Sequence, residues 1–346
     1  MKKMYLIFVI TLVLILVLGS FAFTSAKVVM KEYFVEGGKY GKISVREKYD
    51  DRYKFNEKNI LLFVHGATYP FEAGFDLPIA GYSWMEYMAG HGFDVFALNI
   101  EGYGRSARPP EMDLSPTESK PLCKSDVAVH DINQVVNFIL KMREVKKINI
   151  LGWSWGTITT GKYTTENPDK VEKLILFGPL YSGTENPLGK LLASPDDPKE
   201  FNPKIPGYRT VDAESIKSRW MKEVKDDWLS KDVLDEFINQ SLSSDVTSGD
   251  REPPSMRAPN GCYVDVFLST SGQPVYDASK ITCPVLIMRG DADRTTLDSD
   301  ARCMWEALTN TPYKRYIIFA DGTHHASLES KTHIQVYSET AAFLNE

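Results

Sequence analysis

Apolar residues in this chain fall into short continuous runs, each closed by glycine-containing turns and separated by stretches with helical spacing. Asn59 to Val64 is one such run, of the kind buried on both faces of a sheet, and it stops at His65-Gly66. Tyr40 to Arg46 reads as a strand ahead of it. Trp84 to Gly90 suits a helix, and Phe93 to Ile100 is a second apolar strand, closed by Glu101-Gly102-Tyr103-Gly104. Between Ser125 and Arg143, the residues Val127, Val135, Val136, Ile139 and Leu140 lie close to helical spacing, with Ser125 as the expected N-cap. Lys147 to Leu151, Gly156 to Glu166 and Lys173 to Phe177 continue as strand, helix and strand, ending at Gly178-Pro179. Strands alternating with helices imply right-handed crossovers and a parallel sheet with helices on its faces.

The rhythm breaks between Leu180 and Lys280. Two helices are expected there, over Asp212 to Val224 and Ser230 to Ser241, with Pro- and Gly-containing stretches around them and no strand pattern. It resumes with strands at Pro284 to Met288 and Arg315 to Phe319, and closes on a helix over Thr332 to Leu344. This order divides the chain into a leader (1–26), a first part of an α/β core (27–179), a largely helical insertion (180–280) and a second part of the core (281–346).

With 346 residues, 43% of them hydrophobic, the chain can bury a core large enough for one domain carrying an insertion. Its 40 basic and 46 acidic residues are interspersed and sum to a net charge of −6, which argues against nucleic acid as a partner. Lys2 and Lys3, the apolar run from Met4 to Leu18 and the small residues Thr24-Ser25-Ala26 have the order of a secretory signal peptide cleaved near Ala26. Counted on to Phe23, the same run is about long enough to serve as an uncleaved anchor. The expectation is an exported protein, periplasmic or extracellular, touching a membrane only if this segment is retained. Cys123, Cys262, Cys283 and Cys303 have the spacing of neither a metal site nor a redox pair, so buried thiols with room for one disulfide are expected.

Gly152-Trp153-Ser154-Trp155-Gly156 places a serine between an expected strand and an expected helix. A serine there occupies a tight turn, with small residues on either side letting the chain pass close to neighbouring backbone, and its hydroxyl projects above the strand ends. The N–H of Trp155, opening the helix, is positioned to donate to an oxyanion. Ala67, at the end of the strand that closes with His65-Gly66, supplies the second such amide, while His65 braces that loop. A serine hydroxyl needs a base to take its proton and a carboxylate to orient that base. The later strand ends offer Asp291 or Asp293, then His324 or His325. The segment after Lys173 to Phe177 has no carboxylate. Asp291 is expected in local turn bonding, and His91, His130 and His333 in packing or at the surface. The adjacent histidines have no third ligand at a metal-binding spacing, so no metal or other cofactor is expected.

From about Ile60 to the C-terminus the chain resembles the α/β-hydrolase superfamily, through HGATYP at 65–70, NIEGYGRS at 99–106, GWSWG at 152–156, RGDAD at 289–293 and DGTHHASLE at 321–329. The resemblance implies Ser154 as nucleophile, Asp293 as the acid and His324 as the base, the latter by its distance from Glu329. It also implies a cap over the nucleophile in the insertion. Asn99 stands where many members carry Asp, and Trp155 is bulkier than usual. The implied activity is hydrolysis of an ester or related acyl bond in a small-molecule substrate with an apolar portion. Trp220, Trp228, Phe237, Tyr263 and Phe267 either pack the cap or line that substrate's pocket. The Ser-Trp-Gly piece is also similar to proline iminopeptidases. An aminopeptidase, an acyltransferase and a catalytically silent binding protein remain alternatives on the same scaffold.

Overall fold

The computed structural model describes residues 28–225 and 227–346, so the expected leader lies outside the described residues. Ten strands are present among them: β1 (Val28–Val35), β2 (Ile43–Asp50), β3 (Ile60–Val64), β4 (Asp94–Leu98), β5 (Ile148–Trp153), β6 (Val171–Phe177), β7 (Tyr208–Asp212), β8 (Ser255–Pro259), β9 (Val285–Gly290) and β10 (Lys314–Phe319). Eight form one sheet in the order β1-β2-β4-β3-β5-β6-β9-β10. The pairs β1/β2 and β2/β4 are antiparallel, and every other neighbouring pair is parallel. The C-terminal ends of β3, β5, β6, β9 and β10 therefore share one edge, where loops can gather side chains for chemistry.

Continuous apolar runs make this sheet because both of its faces are covered. All five residues of β3 are fully buried. Ile60, Leu62 and Val64 join one core cluster while Leu61 and Phe63 join another across the sheet. Burial on this scale contributes about 1.5–3 kcal/mol per large aliphatic side chain. The helices are α1 (Phe71–Gly74), α2 (Trp84–Gly90), α3 (Ser125–Arg143), α4 (Trp155–Glu166), α5 (Pro187–Leu192), α6 (Ala213–Met221), α7 (Lys231–Ser243), α8 (Gly261–Ser269), α9 (Asp298–Ala307) and α10 (His333–Asn345).

Several expectations shift for identifiable reasons. The strand expected from Tyr40 begins at Ile43, because the Tyr40 and Gly41 amides donate to the Glu101 carboxylate instead of a neighbouring strand. Strand β1 carries a mixed polar pattern with no clean period and takes shape by pairing with β2, while helix α9 buries Asp300, Ala301 and Met304 at helical spacing in a stretch where no helix is expected. Ser125 is not the N-cap of α3: Lys124 holds that position, and the Ser125 N–H and Oγ–H both donate to Asp265, at 2.8 and 2.7 Å. The segment between β6 and β9 is not free of strands, since β7 and β8 pair antiparallel there, from Tyr208 opposite Pro259 to Asp212 opposite Ser255. Asp212, the expected first residue of α6, is instead its cap, accepting from the Ser215 N–H at 2.8 Å, so the helix starts one residue later, at Ala213. All four cysteines are free thiols, three of them buried.

Candidate active site

Strand β5 turns into α4 through Ser154, whose backbone sits at φ 57°, ψ −123°, a conformation that costs a non-glycine residue about 1–3 kcal/mol and persists only under strong constraint. The constraints are visible. The Ser154 N–H donates to Phe177 O at 2.8 Å, and its carbonyl accepts from the Thr157 N–H and hydroxyl. The flanking glycines are required by contact: a Cβ on Gly152 would lie 2.3 Å from Gly156 O, and one on Gly156 2.5 Å from Val64 O. Ser154 is left only 8% exposed.

The loop after β9 carries Asp293, buried, with every carboxylate lone pair directed. Its Oδ1 accepts from the Thr295 and Thr296 amides at 2.9 and 2.8 Å, and Oδ2 accepts from Thr296 Oγ1 at 2.6 Å and from His324 Nδ1 at 2.9 Å. Burial alone would raise this carboxyl, but His324 and the Thr296 donors outweigh it and hold it below the usual carboxylate range. A proton held on Nδ1 leaves Nε2 of His324 as the acceptor that a general base requires. His324 is fixed from outside as well: its carbonyl accepts from Trp153 Nε1 at 3.1 Å and its N–H donates to Glu223 at 3.3 Å. Residue 178 joins the two halves, since a Cβ there would lie 3.2 Å from His324 Cε1 while the preceding Phe177 carbonyl holds Ser154. Ser154 Oγ and His324 are not hydrogen-bonded to each other among the described residues.

Of the adjacent histidines, then, His324 is the one placed against Asp293. His325 turns the other way, stacked on Trp220 at 4.4 Å and edge-on to Phe237. Asp291 is exposed and its side chain makes no hydrogen bond among the described residues, contrary to the turn-bonding role expected for it; only its N–H joins the sheet, to Phe319 O. Glu329 is buried and accepts from the Thr323 N–H at 2.9 Å and from Trp220 Nε1 at 3.0 Å, so it pins both the loop before His324 and the cap.

Neither the Ala67 nor the Trp155 amide donates to a protein acceptor among the described residues. The first is aimed by His65. Nε2 of that ring accepts from the Ile100 N–H at 3.1 Å, which puts its proton on Nδ1, and Nδ1 donates to Gly66 O at 2.7 Å. In a trans peptide the N–H points opposite the C=O, so tying Gly66 O to one side turns the Ala67 N–H to the other. Burial pushes His65 down to about 4, so it stays neutral and keeps this tautomer. No cluster of three or more potential metal ligands occurs among the described residues.

The family model described as the alpha/beta hydrolase fold matches residues 59–331. The chain belongs to the α/β-hydrolase fold family. Solved structures with the same fold include a serine hydrolase involved in carbazole degradation (16% identity, 92% of this chain and 99% of that one, TM-score 0.60). An esterase from Exiguobacterium antarcticum aligns at 16% identity over 91% of this chain and all of the other, TM-score 0.56. An epoxide hydrolase from Vigna radiata aligns at 14% identity over 92% and 98%, TM-score 0.59. At these identities the likeness is one of fold. No curated protein matches the chain.

Two departures from the usual α/β-hydrolase pattern have physical reasons here. Asn99 accepts from the Phe71 N–H through Oδ1 and donates through Nδ2 to both oxygens of buried Glu72, at 3.2 and 3.0 Å. Aspartate has no N–H to offer that carboxylate. Trp155 is fully buried, and its indole N–H donates to Asp265 on α8 at 2.9 Å, so the bulky residue after the serine bolts the elbow to the cap. Burial raises Asp265 to about 6, moderated by its Ser125 and Trp155 donors.

The cap also brings residues that no motif marks. Arg209 on β7 donates to Ala67 O and Thr68 Oγ1, both at 2.7 Å, and to Pro259 O and Asn260 Oδ1 at 2.9 and 2.8 Å, with its guanidinium over the Tyr263 ring. Tyr103, within the NIEGYGRS segment, donates to the same Ala67 carbonyl at 2.9 Å. Of the cap aromatics, Trp220 and Phe237 pack around Tyr69 and His325 next to His324, whereas Phe267 packs on Phe201 and Trp228 lies under Lys225 and Lys331. Surface clefts of about 570 Å³ at Asn186, Lys190 and Thr270, and about 240 Å³ at Asn56, Lys173 and Glu346, have none of Ser154, Asp293 and His324 in their walls.

Proposed function

We propose that this chain is a serine hydrolase that cleaves an ester or related acyl bond through an acyl-enzyme on Ser154. The observation that carries the reading is the His324 Nδ1 to Asp293 bond of 2.9 Å beside a strained, buried serine with two uncommitted amides next to it. In this mechanism His324 Nε2 takes the Ser154 proton as Oγ attacks the carbonyl carbon. The Ala67 and Trp155 amides hold the resulting oxyanion, and His324 returns the proton to the leaving group. Water, activated by the same imidazole, then releases the acid. The Ser154–His324 hydrogen bond forms as substrate enters, a tightening common at such sites. The likeness to a serine hydrolase and an esterase supports acyl-bond hydrolysis, and the buried aromatic cluster of Tyr69, Trp220 and Phe237 beside His325 makes the surroundings apolar, which suits an apolar portion of a small substrate.

The test is Ser154→Ala with a p-nitrophenyl ester and a fluorophosphonate probe. Activity should fall by about 10⁴-fold or more, and labelling should vanish with the fold intact. Full activity, or a label on another residue, would overturn the mechanism. For location we propose export, on the Lys2-Lys3, apolar and small-residue order at the N-terminus. Mass analysis of the N-terminal peptide from exported protein should then begin near Lys27.

A further inference from the structure

Two guanidinium groups converge on the loop that carries the Ala67 amide, and neither has a carboxylate partner. Arg209 and Arg219 both donate to Thr68 Oγ1, at 2.7 and 3.1 Å, and no ion pair involves either of them among the described residues. Elsewhere several part-buried arginines meet carboxylates, Arg143 with Glu47 and Asp94 and Arg257 with Asp245 and Asp113, while buried Arg289 donates to the Asp293 and Thr296 carbonyls. Arg209 has its bonds filled by backbone and side-chain oxygens. Arg219 does not. It reaches Thr68 with one nitrogen, remains an exposed residue on α6, and acts on the hydroxyl of buried Tyr69 by hydrogen bond and charge.

A second, independent observation lies beside it. His325 is only 4% exposed, yet both of its ring nitrogens lack any partner. A buried polar group left unpaired costs about 1–3 kcal/mol, so such a group at a site wall points to something that completes it. His325 is stacked on Trp220, the residue after Arg219, faces Tyr69 at 6.0 Å, and is close enough to Arg219 for that charge to disfavour its protonation. Burial, the larger cause, keeps the ring neutral, with one N–H to donate. Thr68 is the neighbour of Ala67, and a Cβ on Gly66 would lie 3.6 Å from Ser154 Oγ. The Arg219 guanidinium therefore rests on the same loop that passes Ser154 at Gly66.

We infer that Arg219, with the N–H of His325 and the Tyr69 hydroxyl, forms an anion subsite, and that the substrate is an acyl compound bearing a carboxylate or phosphate a few bonds from the cleaved bond. Arg219 supplies the charge and paired donors that suit either group, Arg209 positions the loop beneath it, and the aromatic walls take the intervening methylenes.

This deepens the acyl-hydrolase reading, and two measurements on the full chain separate the two. The first compares kcat/KM for p-nitrophenyl butyrate, p-nitrophenyl hemiglutarate and an ester whose acyl chain ends in a phosphate. One of the charged esters should be favoured over the neutral one by about tenfold or more, chiefly through KM. Arg219→Gln should bring that ratio close to one, and Arg219→Lys should restore part of it. A preference for the carboxylate or for the phosphate ester identifies the group. A neutral preference, or a charged preference that Arg219→Gln leaves intact, overturns the subsite while acyl hydrolysis stands. The second measures glutarate and phenyl phosphate binding to Ser154→Ala protein by calorimetry. Binding that Arg219→Gln abolishes supports the subsite even if no ester is cleaved, in which case only the catalytic reading falls. Absence of binding for both anions together with absence of a charged-ester preference overturns the inference.

Discussion

The strand-end loops and the cap meet at Ser154 but are built on different terms. In the loops, much of the geometry is set by neighbours close in sequence: Asp293 by Thr295 and Thr296, Gly66 by His65, and the Ser154 carbonyl by Thr157. The cap reaches in with long side chains from far along the chain. Arg209 crosses to Ala67, Glu223 to the His324 N–H, Asp265 to Trp155, and Trp220 to Glu329. The loops thus carry groups suited to bond making, and the cap carries groups that reach across and hold those loops. Geometry set locally survives small changes in distant packing, whereas geometry set by the cap changes whenever the cap shifts.

That division can be broken most sharply at Asp293. Asp293→Asn should lower kcat on a neutral p-nitrophenyl ester by about 10³–10⁴-fold, since the imidazole loses its tautomer control, with little change in KM. A loss under tenfold would show that the loops do not carry the chemistry. Next in size is Arg209→Met, which removes the hydrogen bonds that tie Ala67 and Thr68 to the β8 end and Asn260. It should cut kcat about 10–100-fold and stability by about 2–4 kcal/mol, read by ester kinetics and urea unfolding. If it cost as much in kcat as Asp293→Asn, the cap would share the chemistry and the distinction would collapse.

Asn99→Asp sharpens the loop side. Burial already raises the Glu72 carboxyl, partly offset by the Asn99 donor. A second carboxyl in place of that donor should raise the pair further, costing about 2–4 kcal/mol at neutral pH. A raised folded-state pKa means the folded protein holds a proton that the unfolded chain has lost. The penalty should therefore be least near pH 5 and grow as pH rises, visible in unfolding midpoints across that range. A penalty independent of pH would contradict the assignment. The smallest effect belongs to Glu223→Gln, which keeps one acceptor for His324 N–H and Thr295. Less than a tenfold loss in kcat is expected, with unchanged stability within about 0.5–1 kcal/mol.

The alternation of apolar runs with helical segments was enough to read the parallel sheet, because a strand buried on both faces must be apolar throughout and a covering helix must show its period. The turn at Ser154 was equally legible, since only small residues at 152 and 156 let the backbone pass. What local pattern could not show is pairing at a distance. Strand β1 is mixed in character and forms by lying along β2, and Ser125 looks like a cap until Asp265, 140 residues on, claims both its donors. His324 and His325 are chemically identical in the sequence, and the resemblance preferred the first by its spacing to Glu329. The tertiary structure separates them physically, giving one ring a carboxylate and the other a wall of aromatic side chains. The sequence by itself determined the fold, the strained serine and the short list of acids and bases, because those depend on period and turn sterics. Only the tertiary structure decided which histidine meets Asp293, why Asn99 and Trp155 depart from the usual residues, and that Arg209 and Arg219 both reach Thr68 beside the Ala67 amide. Those depend on which distant side chains share a low-dielectric space, which no local spacing encodes.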